Sequence, residues 1–164
     1  MSVQSVRMIR ERSGFELPLL MIGAFRSLID ELHAELADAG HPGVRPVHGF
    51  ALQAIGVDGV TVSELGRRLE VSKQAAAKTV AVLEGLGYVA REPHERDARS
   101  LVVRRTVRGT EMLHLSSLIF ARQRAGLRRR FGAARLAQME DDLADISGRE
   151  PSARRLAGIQ GWFG

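Results

Sequence analysis

The 164-residue chain contains no cysteine. Disulfides, Cys-ligated zinc, iron–sulfur clusters, thiol nucleophiles and thiol-based redox sensing are excluded together. The absence suits a reducing compartment. Long apolar runs are missing too. The most apolar stretch, Leu17–Phe25, is broken by Pro18 and Gly23, whereas a membrane span needs about 20 apolar residues. A secretory leader is not expected either: Glu11 and Glu16 stand where a basic leader would lie, and Arg26 follows the run with no small-residue cleavage pattern. A cytoplasmic protein without a membrane partner is expected. Catalytic signatures are also lacking. There is no Gly-rich phosphate loop, no Gly-x-Ser-x-Gly elbow, and no pair of carboxylates on an apolar surface. Catalytic residues, cofactors and enzyme activity are therefore not expected. The histidines His33, His41 and His48 fall close together, but none are spaced i, i+4, so no metal site is expected.

Hydrophobic residues make up 45% of the chain and charged residues 26%, the balance of a folded globular protein. The length suits one domain with an extended interface element. Charge is unevenly spread. Residues 1–40 carry net −2, residues 61–110 net +4 and residues 111–164 net +3, within a total of +5. Positive charge in the centre and the C-terminal half favours a polyanionic partner.

After a polar arm over residues 1–13, Leu17, Leu20, Met21, Phe25, Leu28, Ile29, Leu32 and Leu36 recur at helical spacing. The start of that helix is open between Ser13-Gly14-Phe15-Glu16, with capping-box spacing, and Pro18, which prefers a first turn. Gly40, Pro42 and Gly43 stop it. Pro46 opens a shorter helix to about Ile55, and Val60-Thr61 suits a short strand. Thr61-Val62-Ser63-Glu64 is a capping box before Leu65 and Leu69. Glu70-Val71 is a tight break. Ser72 caps a helix over about Lys73–Leu86, with Ala76, Val80, Leu83 and Leu86 as its buried stripe. Residues 88–91 and 101–104 read as strands joined by a charged tip over residues 92–100. Helical spacing returns at Thr110, with Met112, Leu115, Ile119 and Leu127 on one stripe. A last helix over about Ala133–Ile146 turns Leu136, Met139, Leu143 and Ile146 inward.

A helix, a tight turn, a capped helix and a hairpin with a basic tip make a winged helix-turn-helix. In such a unit the second helix offers its first turns to the DNA major groove. Ser72, Lys73 and Gln74 supply a hydroxyl, a cation and an amide able to pair with adenine. Lys78 reaches phosphate one turn later. At the wing tip, Arg96 and Arg99 face the backbone or a narrow minor groove, which attracts arginine.

The order and spacing of these motifs resemble the MarR family of bacterial transcription regulators. The resemblance rests on Thr61-Val62-Ser63-Glu64-Leu65-Gly66-Arg67-Arg68-Leu69, Val71-Ser72, Leu83-Glu84-Gly85-Leu86-Gly87-Tyr88-Val89, Asp97-Ala98-Arg99 and Thr106-Val107-Arg108-Gly109. It implies a mainly α fold with a small β-wing and an intertwined homodimer built through the N- and C-terminal helices. Arg99 matches the wing arginine and Asp97 the aspartate that orients it, by a charge-assisted hydrogen bond. Ala75-Ala76-Ala77 departs from a more polar stretch and turns specificity toward thymine methyls or DNA shape. The oxidation-sensing subgroup is excluded by the missing cysteine. A urate-sensing one is not expected, because the only tryptophan is Trp162.

Three regions are thus expected: an arm and dimerisation helix over residues 1–45, the winged helix-turn-helix over 46–109, and dimerisation helices with a tail over 110–164. The expected function is a homodimeric regulator, a repressor on a pseudo-palindromic double-stranded DNA operator. The alternative is a winged-helix module for protein or RNA contacts. The resemblance also implies a small aromatic or anionic ligand in a cleft behind the DNA-binding unit. Met21, Phe25, Arg45, His48, Phe50 and Met112 are its candidate lining, with Arg45 pairing a carboxylate. The competing reading makes the apolar members ordinary core.

Overall fold

A computed structural model describes residues 13–94 and 97–148. The elements in order are α1 (Glu16–Asp38), α2 (Pro46–Ile55), α3 (Val62–Leu69), α4 (Lys73–Gly85), β1 (Val89–His94), β2 (Asp97–Arg105), α5 (Val107–Phe131) and α6 (Ala133–Ser147). The polar arm, the tail after Pro151 and Trp162 lie outside the described residues. No helix among the described residues is long and apolar enough to cross a membrane.

Side-chain oxygens start three of the helices. Thr61 accepts from the Glu64 N–H at 3.2 Å, Ser72 from Ala75 at 3.1 Å and Thr106 from Gly109 at 3.1 Å. Each such cap is worth about 1 kcal/mol. The start of α1 uses half of a capping box. The Ser13 N–H donates to Glu16 Oε1 at 3.3 Å, while the Glu16 N–H bonds the Ser13 carbonyl rather than its hydroxyl. Pro18 then falls in the first turn, where its missing N–H has no intrahelical partner to lose. Helix α5 begins at Val107, three residues before the point where the apolar spacing returns, because Thr106 supplies the cap.

The helix-turn-helix is tight for a local reason. A Cβ on Gly66 would lie 3.1 Å from the Val71 carbonyl oxygen and 3.6 Å from Ala76 Cβ. Between the helices Glu70 takes a left-handed conformation, φ 55°, and the Val71 N–H bonds back to Gly66. The strands run further into the hairpin tip than their apolar pattern indicates. They pair antiparallel from Val89↔Arg105 to His94↔Asp97, with a break in register between Pro93 and His94, where proline has no N–H to give. Val60 adds a one-residue bridge to Val103, so the expected short strand is a single pairing.

One apolar cluster joins these pieces. Ile29, Leu32 and Leu36 of α1 meet Leu52 and Ile55 of α2, Leu65 and Leu69 of α3, Ala76, Val80 and Leu83 of α4, Tyr88, and Met112 and Ile119 of α5. It runs across the boundaries expected near residues 45 and 109. Two stretches depart from the apolar reading. Leu17 and Leu20 are 57% and 48% exposed, and Met139, Leu143 and Ile146 of α6 are 39%, 41% and 62% exposed. Within the single chain these residues are not core. Only Leu136 of α6 is buried.

Tyr88 is fully buried where β1 leaves α4. Its carbonyl accepts from the Thr106 N–H at 3.0 Å, and a Cβ on Gly109 would collide with that carbonyl oxygen. Gly109→Ala is therefore expected to lower unfolding stability by about 3 kcal/mol, at the upper end for overpacking. At Gly85 no atom lies within 4 Å of the site of a Cβ, so Gly85→Ala should leave stability unchanged or slightly raised. Urea denaturation of the two variants checks the contrast.

Candidate nucleic-acid interface

Helix α4 buries Ala76, Val80 and Leu83 against the core. The helical period then turns Gln74, Lys78 and Ala81 to the opposite side. Lys73, Gln74 and Lys78 are all exposed. Ser72 is exposed as well, with its oxygen engaged as the α4 cap, which leaves its O–H free to donate. Unpaired N–H groups at the same end favour an anion. The four residues expected to face DNA on this helix are thus all exposed, Gln74 and Lys78 on its outward side and Ser72 and Lys73 at its first turn.

Asp97 and Arg99 lie on the β2 backbone just beyond the break in register. Their side chains, and Arg96 altogether, lie outside the described residues.

The basic residues of 61–110 separate into two groups. Arg68 donates to the Ala54 carbonyl at 2.8 Å and to Glu64 at 3.1 Å, tying α3 to the end of α2. Arg91 pairs with Glu84 at 3.3 Å. Arg104 bonds the Asp58 carbonyl at 2.6 Å and pairs with Glu92 at 3.2 Å. Arg108 donates to the Gly40 carbonyl at 2.7 Å and lies 5.2 Å from the centre of the Tyr88 ring. The Arg105 Nε is buried, with no hydrogen-bond partner among the described residues. Arg68, Arg91, Arg104 and Arg108 brace the winged helix. Lys73 and Lys78, by contrast, have no ion-pair partner among the described residues. Net charge by segment could not separate the two groups, because bracing contacts join residues up to 68 positions apart.

The candidate ligand residues are dispersed in burial. Met21, Phe25 and Phe50 are half-buried, and Arg45 is exposed. Met112 is 1% exposed and belongs to the core cluster. His48 is buried, and its Nδ1 accepts from the Arg45 backbone N–H at 3.1 Å. That bond requires a lone pair on Nδ1, so the neutral ring carries its proton on Nε2. His48 thus shapes the start of α2. Sequence reasoning set His33 close to His48 in the chain but did not count it in the candidate lining. A protonated His33 on α1 opposes protonation of His48, and the His33 Nε2 is buried without a hydrogen-bond partner among the described residues. Fourteen residues separate the two histidines along the chain. Among the described residues no three His, Asp or Glu side chains gather as a metal site.

Residues 43–100 match the MarR family model. No curated protein matches the chain. Solved structures do. RV1404 from Mycobacterium tuberculosis is 20% identical with a TM-score of 0.64, over 88% of this chain and 99% of that one. An S. aureus MepR–DNA complex is 15% identical with a TM-score of 0.63, over 82% of this chain and 97% of that one. S. aureus MepR bound to ethidium bromide is also 15% identical, with a TM-score of 0.57, over 84% and 96%. At these identities the likeness is one of fold: a mostly helical winged-helix unit with a two-stranded antiparallel sheet.

Burial lowers the pKa of His33, His41 and His48, and the Arg108 and Arg45 cations add to the effect at His41 and His48 respectively. The folded protein keeps these rings neutral, while the unfolded chain binds protons near the ordinary imidazole pKa of about 6.5. Their contribution to stability is present above that value and is lost as pH falls through the lower folded values. The melting temperature should therefore drop between about pH 7 and pH 5. His48→Asn keeps an acceptor for the Arg45 N–H and removes one titration, so it should flatten the drop. An unchanged pH slope in thermal melts of that variant would contradict this account.

Proposed function

With residues 43–100 a MarR-family segment, we propose that the chain is a transcription regulator that binds double-stranded DNA as a homodimer. The observation that carries this reading is the start of α4, where Ser72, Lys73, Gln74 and Lys78 are all exposed beside a two-stranded wing. Lys73 and Lys78 meet phosphate, Gln74 meets a base edge, and the wing brings Arg96 and Arg99 to the backbone or minor groove, with Asp97 orienting Arg99. The S. aureus relative in fold has been solved with DNA, which supports the same use here. Residues 46–109 form the DNA-binding region, and residues 1–45 and 110–164 supply dimerisation.

The dimer is supported by apolar surface that the single chain leaves open. Phe15, Leu17 and Leu19 at the start of α1 are 57–66% exposed, and Met139, Leu143 and Ile146 line α6. Pairing these ends of two chains buries surface that would otherwise promote aggregation. Two recognition helices then face half-sites whose centres lie about 34–36 Å apart on a pseudo-palindrome. Occupancy of such an operator blocks access to a promoter, which makes the regulator a repressor.

Release by a small aromatic acid is the regulatory half of the proposal. Met21, Phe25 and Phe50 supply half-buried apolar surface and Arg45 an exposed cation. His33 and His48 add two neutral imidazoles. MepR has been solved with ethidium, a planar aromatic cation, and the cation at Arg45 favours the opposite charge here. A ligand loosens the operator only if it prefers the spacing of recognition helices that does not fit DNA.

Three outcomes follow. Light scattering at micromolar concentration should give twice the 18.0 kDa chain mass; a monomer contradicts the dimer. Arg99→Ala should weaken duplex binding roughly uniformly across sequences and lower the salt slope by about 1, whereas Gln74→Ala should relax sequence choice. Unchanged affinity of Arg99→Ala at every salt concentration contradicts the wing assignment. Salicylate-like acids should raise the melting temperature and lower operator affinity, with both effects lost in Arg45→Ala. No change in either quantity up to millimolar acid contradicts the ligand site for that class.

A further inference from the structure

Apart from Gln74 and Lys78, the outward side of α4 presents methyl groups. Opposite the buried Ala76, Val80 and Leu83 stand Gln74, Lys78 and Ala81, flanked by half-buried Ala77 and by Val82, which is 48% exposed. Beyond the Ser72 cap, Gln74 is the uncharged side chain on the outward side of α4 that can make directional hydrogen bonds. Glu84, further along the helix, is turned to Arg91. Ala75 gives its N–H to the Ser72 cap and adds no polar group of its own.

A base edge laid against such a surface loses water without gaining a hydrogen bond. For a guanine carbonyl or a cytosine amine that is a net cost. Thymine differs, because its C5-methyl group projects into the major groove and gains from apolar contact. Alanine is also short enough to let the helix backbone approach the groove floor.

We infer that Ala77 and Ala81, flanked by Val82, determine specificity by reading thymine methyls, and that Gln74 fixes an adjacent adenine. This rests on the DNA-binding reading above and names its target class: half-sites with A·T pairs under α4, selected by methyl contact rather than by a guanine-reading arginine. Lys73 and Lys78 hold the flanking phosphates.

The test uses the full chain and a random duplex pool. The bound duplexes are sequenced, and thymines in the preferred duplex are then replaced one at a time by deoxyuridine, which removes the C5-methyl group and leaves every hydrogen-bonding group in place. Affinity should fall about fourfold for each contacted methyl, the value of one buried methyl or methylene group. The slope of affinity against salt should not change, because no phosphate contact is lost. Ala81→Ser, which puts a hydroxyl on the same surface, should reduce the deoxyuridine effect at its own position and leave it elsewhere, a coupling that general loss of folding would not produce. Duplex binding that is indifferent to deoxyuridine throughout the half-sites, or a preferred duplex with G·C pairs under α4, overturns the inference and leaves the DNA-binding reading standing. Failure to retain any duplex overturns both.

Discussion

The packing around Tyr88 is the constraint on which the arrangement of the other elements depends. Its N–H closes the end of α4 on the Leu83 carbonyl, and its own carbonyl receives the Thr106 N–H that starts α5. Its hydroxyl meets His41 Nδ1 at 3.2 Å. Arg108 lies over its ring and reaches on to the Gly40 carbonyl. Through its backbone and its side chain, one buried residue thus meets the loop after α1, the end of α4, the root of the wing and the start of α5. Burial pushes the phenol pKa up while Arg108 opposes that shift, so the ring remains a neutral hydrogen-bonding partner. A Cβ on Gly109 has no place beside the Tyr88 carbonyl, which gives the Thr106-x-x-Gly109 pattern a steric cause.

The same junction divides the surface charge. Arginines near the wing root are drawn into carbonyls and carboxylates that brace it, while the lysines at the start of α4 stay in water. Exposed ion pairs such as Arg91–Glu84 contribute about 1 kcal/mol at most, so their value lies in orientation more than in stability. What the winged helix offers a polyanion is a short row of side chains at one helix end. Its strength comes from placement rather than from total charge. The methyl groups of Ala77, Ala81 and Val82 that continue this row have the opposite character.

Away from the junction the chain is less self-sufficient. Arg122 pairs with Glu35, and Gln123 donates to the Leu28 carbonyl at 2.9 Å, holding α5 to α1. Arg124 grips both oxygens of Glu140 at 2.7 and 2.8 Å, holding α6 to α5. These polar clamps align helices whose apolar stripes are only partly covered. Among the described residues the stripes on the start of α1 and along α6 stay open.

Local physics was legible in the sequence. Thr61 and Ser72 mark their helix starts because a cap needs only an oxygen three residues before an orphan N–H, and the helical spacing of Ala76, Val80 and Leu83 identifies the buried side of α4. Those features also carried the winged-helix pattern and the candidate residues Ser72, Lys73, Gln74 and Lys78. Tertiary structure alone decided what distance along the chain conceals. Periodicity marks an apolar face without saying what covers it, so Met139, Leu143 and Ile146 read as core and stand open. Composition counts arginines without their partners, so Arg104 and Arg108 read as surface charge and prove to be braces. Histidine spacing could not show that His48 Nδ1 is held by the Arg45 backbone N–H. For Arg104 and Arg108 the deciding contacts join residues 46 and 68 positions apart, and for the apolar face of α6 the outcome depends on which elements lie against it, which only the assembled fold decides.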